Sequence, residues 1–263
     1  MNNELEFEIN EKIAVITINR PEKKNAMNQA VLEGLMAGLD QIRHDDNIRV
    51  GVIRGAGDTF SAGADLKARA ESGGGRVQDA TPANIIASDF SKNWATMPIE
   101  KPMIAAIDGY CLGAGFELAL TCDIRICTPR AQFGLPEITL GFFPGAGGPQ
   151  RLVKTLPQSL AMEVLLTGQR LNAEKAERFG LVSRVVQESE LTAESMKLAE
   201  SIAANAPLAV RAVKEIVNLS KDQSLEESLR YGNALRWAIG QTEDAREGPK
   251  AFSEKRSPTF KGK

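Results

Sequence analysis

The chain has 263 residues, with 32 Lys and Arg against 34 Asp and Glu, 43% hydrophobic and 25% charged positions, and a formal net charge of -2. This is the make-up of an ordinary globular protein, long enough for one large domain or two smaller ones. The near-neutral balance gives no basic footprint for a binder that works by neutralising nucleic-acid phosphates. No apolar run approaches the ~20 residues that span a bilayer.

The opening MNNELEFEIN has neither a basic-then-apolar leader nor the character of a transit peptide, so a cytoplasmic location is expected. Apolar positions over residues 4–18, interrupted at Glu11-Lys12, predict two strands, with Ile13, Val15, Ile16 and Ile18 on the second. Asn19-Arg20-Pro21 ends that hairpin. Val31, Leu32, Leu35, Leu39 and Ile42 recur at helical spacing and predict a helix over 28–43. A third strand is expected over 49–54. Residues 69–84 are polar around Ser72-Gly73-Gly74-Gly75 and read as a loop or frayed helix, followed by a helix over 84–94. A buried-looking strand over 103–107, a short strand over 123–128 and a turn at Gly145 complete the first part. Strands alternating with helices predict stacked ββα units with parallel pairing, an α/β fold. From about Thr192 the chain reads as helical. One stripe is Val210, Val213, Ile216 and Val217; another is Leu225, Leu229, Leu235 and Ile239, opened by the capping box Ser224-x-x-Glu227. The expected division is thus a core over 1–191 and a helical region over 192–263, which either folds over the core or packs on another subunit.

One short pattern occurs twice. Ala62-Gly63-Ala64-Asp65-Leu66 and Ala114-Gly115-Phe116-Glu117-Leu118 both read A-G-x-acid-L, each after a strand-like run and a glycine, Gly55 or Gly109. Each reads as strand, turn and first helical turn. The first N–H groups of a helix lack partners within it, and the helix dipole adds partial positive charge there. Two such ends brought together would aim two N–H donors at one developing oxyanion. Ala-Gly pairs also serve plain strand-to-helix turns, so the repeat alone leaves both readings open.

Glu117 and Glu137 are the carboxylates set among apolar neighbours, Phe116 and Leu118 for the first, Leu135 and Ile138 for the second. Desolvation there raises a carboxyl pKa and suits it to proton transfer, and two such groups around one water push their pKa values apart. Taken singly, each reads first as a surface glutamate beside a core stripe. Residues 145–151 look like a tight turn feeding a helix, with Pro149 at its first position and no phosphate-loop Lys-Ser/Thr. His44, the one histidine, is followed by Asp45-Asp46 at a helix end and reads as a surface residue. Cys111, Cys122 and Cys127 form no C-x-x-C and read as buried free thiols. No ligand cluster suggests a metal.

Together these segments resemble the crotonase, or enoyl-CoA hydratase/isomerase, family. The matching pieces are Asn19-Arg20-Pro21 with Asn25-Ala26-Met27, residues 60–66, Lys101-Pro102, and residues 109–119 with Cys122-Asp123. They continue with Phe133-Gly134-Leu135-Pro136-Glu137, residues 145–151, and residues 251–256. The resemblance implies a crotonase-like spiral of ββα units with a C-terminal helical oligomerisation region, assembled as a homotrimer or homohexamer. It implies an oxyanion hole from the N–H groups of Ala62 and Ala114, and catalytic glutamates at Glu117 and Glu137. Ala26, Ala62, Gly63, Ala64, Asp65 and Leu66 would line the CoA, and Phe252 and Lys255 would reach the CoA of a neighbouring subunit. Ala114 stands where many hydratases have glycine, and Phe116 is bulkier than in some and is expected to trim the acyl pocket. The implied activity is syn hydration of a trans-2-enoyl-CoA, as in fatty-acid β-oxidation, with no cofactor beyond the CoA of the substrate. Isomerisation or a specialised dehydration on the same fold is the alternative, and a non-catalytic CoA- or RNA-binding role a remote one.

Overall fold

A computed structural model describes residues 3–71 and 93–263. The loop expected over 69–84 and the helix expected over 84–94 fall on, or run into, the residues outside that description. Strands β1 (Leu5–Asn10) and β2 (Ile13–Ile18) form an antiparallel hairpin turning at Glu11, whose φ is +54°. Helix α1 (Gln29–His44) is capped by the Asn28 side chain, which accepts from the Val31 N–H at 2.9 Å. After it, β3 (Val50–Gly55), β4 (Met103–Ile107), β6 (Ile124–Cys127) and β9 (Arg184–Val185) extend the sheet in the order β1-β2-β3-β4-β6-β9, all pairs after the hairpin being parallel. A smaller sheet pairs β5 (Tyr110–Leu112), β7 (Gln132–Gly134) and β8 (Leu171–Asn172).

Parallel strands covered on both faces carry apolar side chains at every position. All six residues of β2 and all five of β4 are buried. Their period of two divides the core in two. Ala14, Ile16, Ile18, Met103, Ala105 and Ile107 face α1 through Val31, Leu35, Leu39 and Ile42. Ile13, Val15, Val50, Val52, Ile104 and Ala106 face α7 (Leu191–Ala203) through Leu191, Ala199 and Ala203. The first helix of the C-terminal region therefore closes the second face of the sheet. The helices α3 (Ala114–Thr121), α4 (Gly148–Thr155), α5 (Gln158–Thr167) and α6 (Ala173–Arg178) follow the second A-G-x-acid-L copy, after the six-residue α2 (Leu66–Glu71) of the first. Beyond α7 come α8 (Pro207–Leu219), α9 (Leu225–Gly240), with the expected capping box, and α10 (Glu243–Ser253).

Cys111, Cys122 and Cys127 are free and buried. Burial pushes the Cys122 and Cys127 thiols up to about 12, leaving almost no reactive thiolate at neutral pH. An aromatic disulfide reagent is expected to leave the native protein untouched and to titrate all three thiols once denaturant is added. Fast reaction of the folded protein would refute this packing.

Candidate active site

Ser61 forms a parallel bridge with Cys111: the Ser61 N–H donates to the Tyr110 carbonyl at 2.8 Å, and the Leu112 N–H to the Ser61 carbonyl at 2.9 Å. On its other side β5 pairs in parallel with β7, and the Gly113 N–H donates to the Gly134 carbonyl at 2.9 Å. Residues 61–64, 111–114 and 134–137 thus run side by side, bringing both copies of the motif and Glu137 to one place. The approach is close. A Cβ on Gly115 would lie 2.6 Å from the Ser61 Cβ, so no larger residue fits there without moving the first segment.

The two copies, alike in sequence, fold differently. The second enters α3 directly at Ala114, behind Gly113 at φ +52°. Ala114 itself keeps an ordinary helical φ, so alanine is accommodated where the resemblance has glycine. The first copy turns at Gly63, whose φ is +98°, and Ala64 then bridges in parallel to Met27: the Met27 N–H donates to the Gly63 carbonyl at 2.7 Å and the Asp65 N–H to the Met27 carbonyl at 3.0 Å. Its helix begins only at Leu66. The expectation for Ala62 is therefore corrected: its N–H is already bonded to the Lys24 carbonyl at 2.9 Å and is not available to a ligand. Among the described residues, no group accepts from the N–H of Ala64 or of Ala114. A Cβ built on Gly63 would lie 3.3 Å from the Ala114 nitrogen, which places the turn bearing Ala64 against the start of α3.

Glu117, one turn into α3, is 3% exposed. Its Oε1 accepts from the N–H groups of Ala146 at 2.7 Å and Gly148 at 2.9 Å, in the turn that feeds α4. Burial raises its pKa, while those two N–H groups and the Arg151 charge oppose the rise. Glu137 lies in the short 3-10 turn Pro136–Leu140. Its Oε1 comes within 2.9 Å of the point a Gly113 Cβ would occupy, and its Oε2 is buried without a hydrogen-bond partner among the described residues. Burial raises this pKa as well, and the neighbouring Glu117 charge adds to it. One carboxylate is clamped by backbone donors, whereas the other has an oxygen to offer. That pair, beside two unpaired N–H groups, can polarise a carbonyl and move protons at adjacent atoms.

The remaining candidates divide. Arg20 ties two of them together: its Nη1 donates to the Ala26 carbonyl at 2.6 Å and to Asp65 Oδ2 at 3.1 Å, and Glu4 lies 3.1 Å from its Nε. Ala26, Gly63, Ala64, Asp65 and Leu66 consequently border the cluster as one rim, with Leu66 about half exposed. Phe252 and Lys255 are elsewhere, at the end of α10, which packs on α9; Phe252 is 86% exposed. Phe116 does not trim a pocket: its ring is buried in the core against Phe133, centroids 5.5 Å apart. Asn25 entered the sequence reading only within a matching segment. It is fully buried at φ +53°, accepts from the Arg20 N–H at 2.9 Å and donates to the carbonyls of Ala56, at 2.8 Å, and Thr59. Its own carbonyl accepts from the Ser61 hydroxyl at 2.8 Å, and that hydroxyl accepts from the Gly63 N–H at 3.1 Å. The signal was an asparagine at a chain reversal, since asparagine tolerates the left-handed region. Among the described residues no three His, Cys, Asp or Glu side chains gather as metal ligands, and no helix is long and apolar enough to cross a membrane.

The family model described as enoyl-CoA hydratase/isomerase matches residues 8–263. The chain is 39% identical over 97% of its length to an (E)-benzylidenesuccinyl-CoA hydratase of Thauera aromatica, covering 98% of that protein. It is 41% identical to a 2,3-dehydroadipyl-CoA hydratase of Escherichia coli, over 96% of each. A crystal structure of an enoyl-CoA hydratase from Mycobacterium tuberculosis superposes with a TM-score of 0.90 at 37% identity over the full length of both chains.

Proposed function

Since the chain belongs to the enoyl-CoA hydratase/isomerase family, we propose that it works as an enoyl-CoA hydratase, adding water syn across a trans-2-enoyl-CoA to give a 3-hydroxyacyl-CoA. The observation that carries the proposal is the meeting of the buried Glu117 and the half-buried Glu137 with two unpaired N–H groups. The N–H groups of Ala64 and Ala114 receive the thioester oxygen, draw electron density from C3 and stabilise the enolate as it forms. Glu117, held by Ala146 and Gly148, orients the water and takes its proton as oxygen bonds to C3. Glu137 delivers a proton to C2 from the same face, which makes the addition syn. Reversal exchanges the roles: Glu137 removes the C2 proton and Glu117 protonates the departing hydroxyl. Nothing beyond the CoA of the substrate enters this scheme.

The test is loss of the conjugated-enoyl absorbance of crotonyl-CoA. Rapid loss supports the assignment. Absence of loss with crotonyl-CoA and with longer or carboxylated enoyl-CoA substrates would overturn it, and turnover of a 3-enoyl-CoA alone would point to an isomerase. The pH dependence has a definite sign. Hydration needs Glu117 ionised and Glu137 protonated, so kcat/KM falls on both sides of an optimum. Both values are raised by burial, so the acid limb is expected above the ordinary carboxylate range.

We propose further that the chain is a homotrimer or homohexamer. Val213, Val217, Leu225, Leu229 and Trp237 leave an apolar face on α8 and α9 in the isolated chain, and Phe252 protrudes from α10. Large exposed apolar groups of this kind mark contact surfaces. Phe252 and Lys255 would then serve a neighbouring subunit's CoA. Sedimentation as a monomer at micromolar concentration would refute the assembly.

A further inference from the structure

Arg151 has no place in the scheme above, and its setting calls for an explanation. It lies in α4, half-buried, and among the described residues no carboxylate forms an ion pair with it. Burying an unpaired guanidinium is costly unless its donors are used. Here two carbonyls use them. Nη1 donates to the Ala146 carbonyl at 2.8 Å, and Nη2 donates to the Ala95 carbonyl. Ala146 is the residue whose N–H holds Glu117 Oε1, and the Gly148 N–H on the same oxygen lies in the same turn. The guanidinium therefore grips the turn from behind while the turn grips the carboxylate in front. Its planar fork also spans two segments, pinning the turn to the buried Ala95 ahead of β4.

From this geometry we infer that Arg151 is the positioning residue of Glu117: it fixes the 145–148 turn so that two N–H groups meet the carboxylate, and it supplies the positive charge behind it. The inference rests on the hydratase reading for its kinetic consequences but not for its physical ones. Among the described residues, Arg151 is the side chain whose charge favours the ionised Glu117, and the Glu117 charge acts on Arg151 in return. Removing Arg151 leaves the Ala146 carbonyl without its donor, frees the turn to rotate and takes away the charge. A misplacement of about 1 Å at a reacting group is enough to cost about 10²-fold in rate. Lysine keeps the charge but cannot reach two carbonyls in one plane, so it separates the two contributions.

The experiment compares wild type, Arg151→Gln and Arg151→Lys. Expected for Arg151→Gln is a fall in kcat of about 10- to 100-fold with KM little changed, and an acid limb of kcat/KM displaced to higher pH. Arg151→Lys is expected to lose rate while keeping its acid limb near the wild-type position. The same variants are titrated by carbon-13 NMR of labelled glutamate carboxyls, the Glu117 resonance being assigned by its disappearance in Glu117→Gln. That titration needs no turnover, so it still decides the matter if no enoyl-CoA is hydrated. An upward displacement of the Glu117 titration in Arg151→Gln, and little or none in Arg151→Lys, supports the inference. A Glu117 titration unmoved in a folded Arg151→Gln overturns it, as does a fall in thermal stability with kcat and both limbs unchanged. Should Arg151→Gln fail to fold, a displaced Glu117 titration in Arg151→Lys at full kcat is the overturning result.

Discussion

Replacing Glu137 by glutamine is expected to lower kcat for crotonyl-CoA hydration by about 10²- to 10⁴-fold, the range a positioned acid or base contributes, while the protein becomes harder to melt at pH 7. The two effects have one cause. Burial and the Glu117 charge raise the Glu137 pKa in the folded state, so the native protein holds that proton more tightly than the unfolded chain does. Stability attached to such a group is present below the unfolded pKa and is lost as pH rises through the folded value. At pH 7, above the unfolded pKa, this carboxyl, with a buried oxygen lacking any described partner, costs the folded protein stability that an amide does not. Below about pH 4 the wild-type carboxyl is neutral and the difference should vanish. Thermal melts of both proteins at the two pH values check this, beside kcat. Equal melting temperatures at pH 7 would mean that an unseen partner satisfies Glu137. Glu117→Gln should lose rate comparably but gain less stability, because two N–H donors already serve its carboxylate.

The second large effect is expected at Gly113, where alanine should remove about 10²-fold or more of the activity with both glutamates still in the sequence. Gly113 has φ +52° and ψ -130°, a conformation open to glycine and strained for any residue with a Cβ. The strain alone is about 1–3 kcal/mol. The added methyl would also lie 2.9 Å from Glu137 Oε1, so the carboxylate must swing away or the start of α3 must shift. Either motion damages the site, the first through Glu137 and the second through the Ala114 N–H. A folded Gly113→Ala protein, checked by circular dichroism, with wild-type kcat would disprove this account of the hole. Tight binding of the 3-hydroxyacyl-CoA product by the inactive variant would separate lost chemistry from lost substrate.

Much of this arrangement can be read from the residues before any coordinates. The largely apolar run of β2, the all-apolar run of β4, the Asn28 cap, Pro149 at the start of α4 and the Ser224–Glu227 capping box are local signals, and local structure obeys them. The two glutamates were recognisable as carboxylates in apolar company. What misled was the apparent symmetry of the repeated motif. Aligning its copies letter by letter equates Ala62 with Ala114, yet one copy is helical from its first residue and the other turns at Gly63 and becomes helical only at Leu66. The difference is set by Met27, whose N–H and carbonyl hold residues 63–65 in a bridge. That partner is distant in sequence, and no property of residues 62–66 announces it. Phe116 misled for a related reason: next to Glu117 in sequence, it turns into the core against Phe133. Asn25 and Arg151 act through carbonyls, which are the same at every residue, so their targets leave no mark in the sequence.

The two atoms proposed to stabilise the enolate belong to the main chain, so they are invisible to genetics. A random screen for inactive variants would not report Ala64 and Ala114 as donors, since every residue except proline brings the same N–H to those places. It would report their scaffolding instead: Gly113 and Gly115, crowded against Glu137 and Ser61, and Ser61 and Asn25, which hold the turn. A tolerance map of this protein should therefore look like a mould with its casting missing. Seeing the donors themselves calls for changing the backbone, by an amide-to-ester replacement at residue 64 or 114.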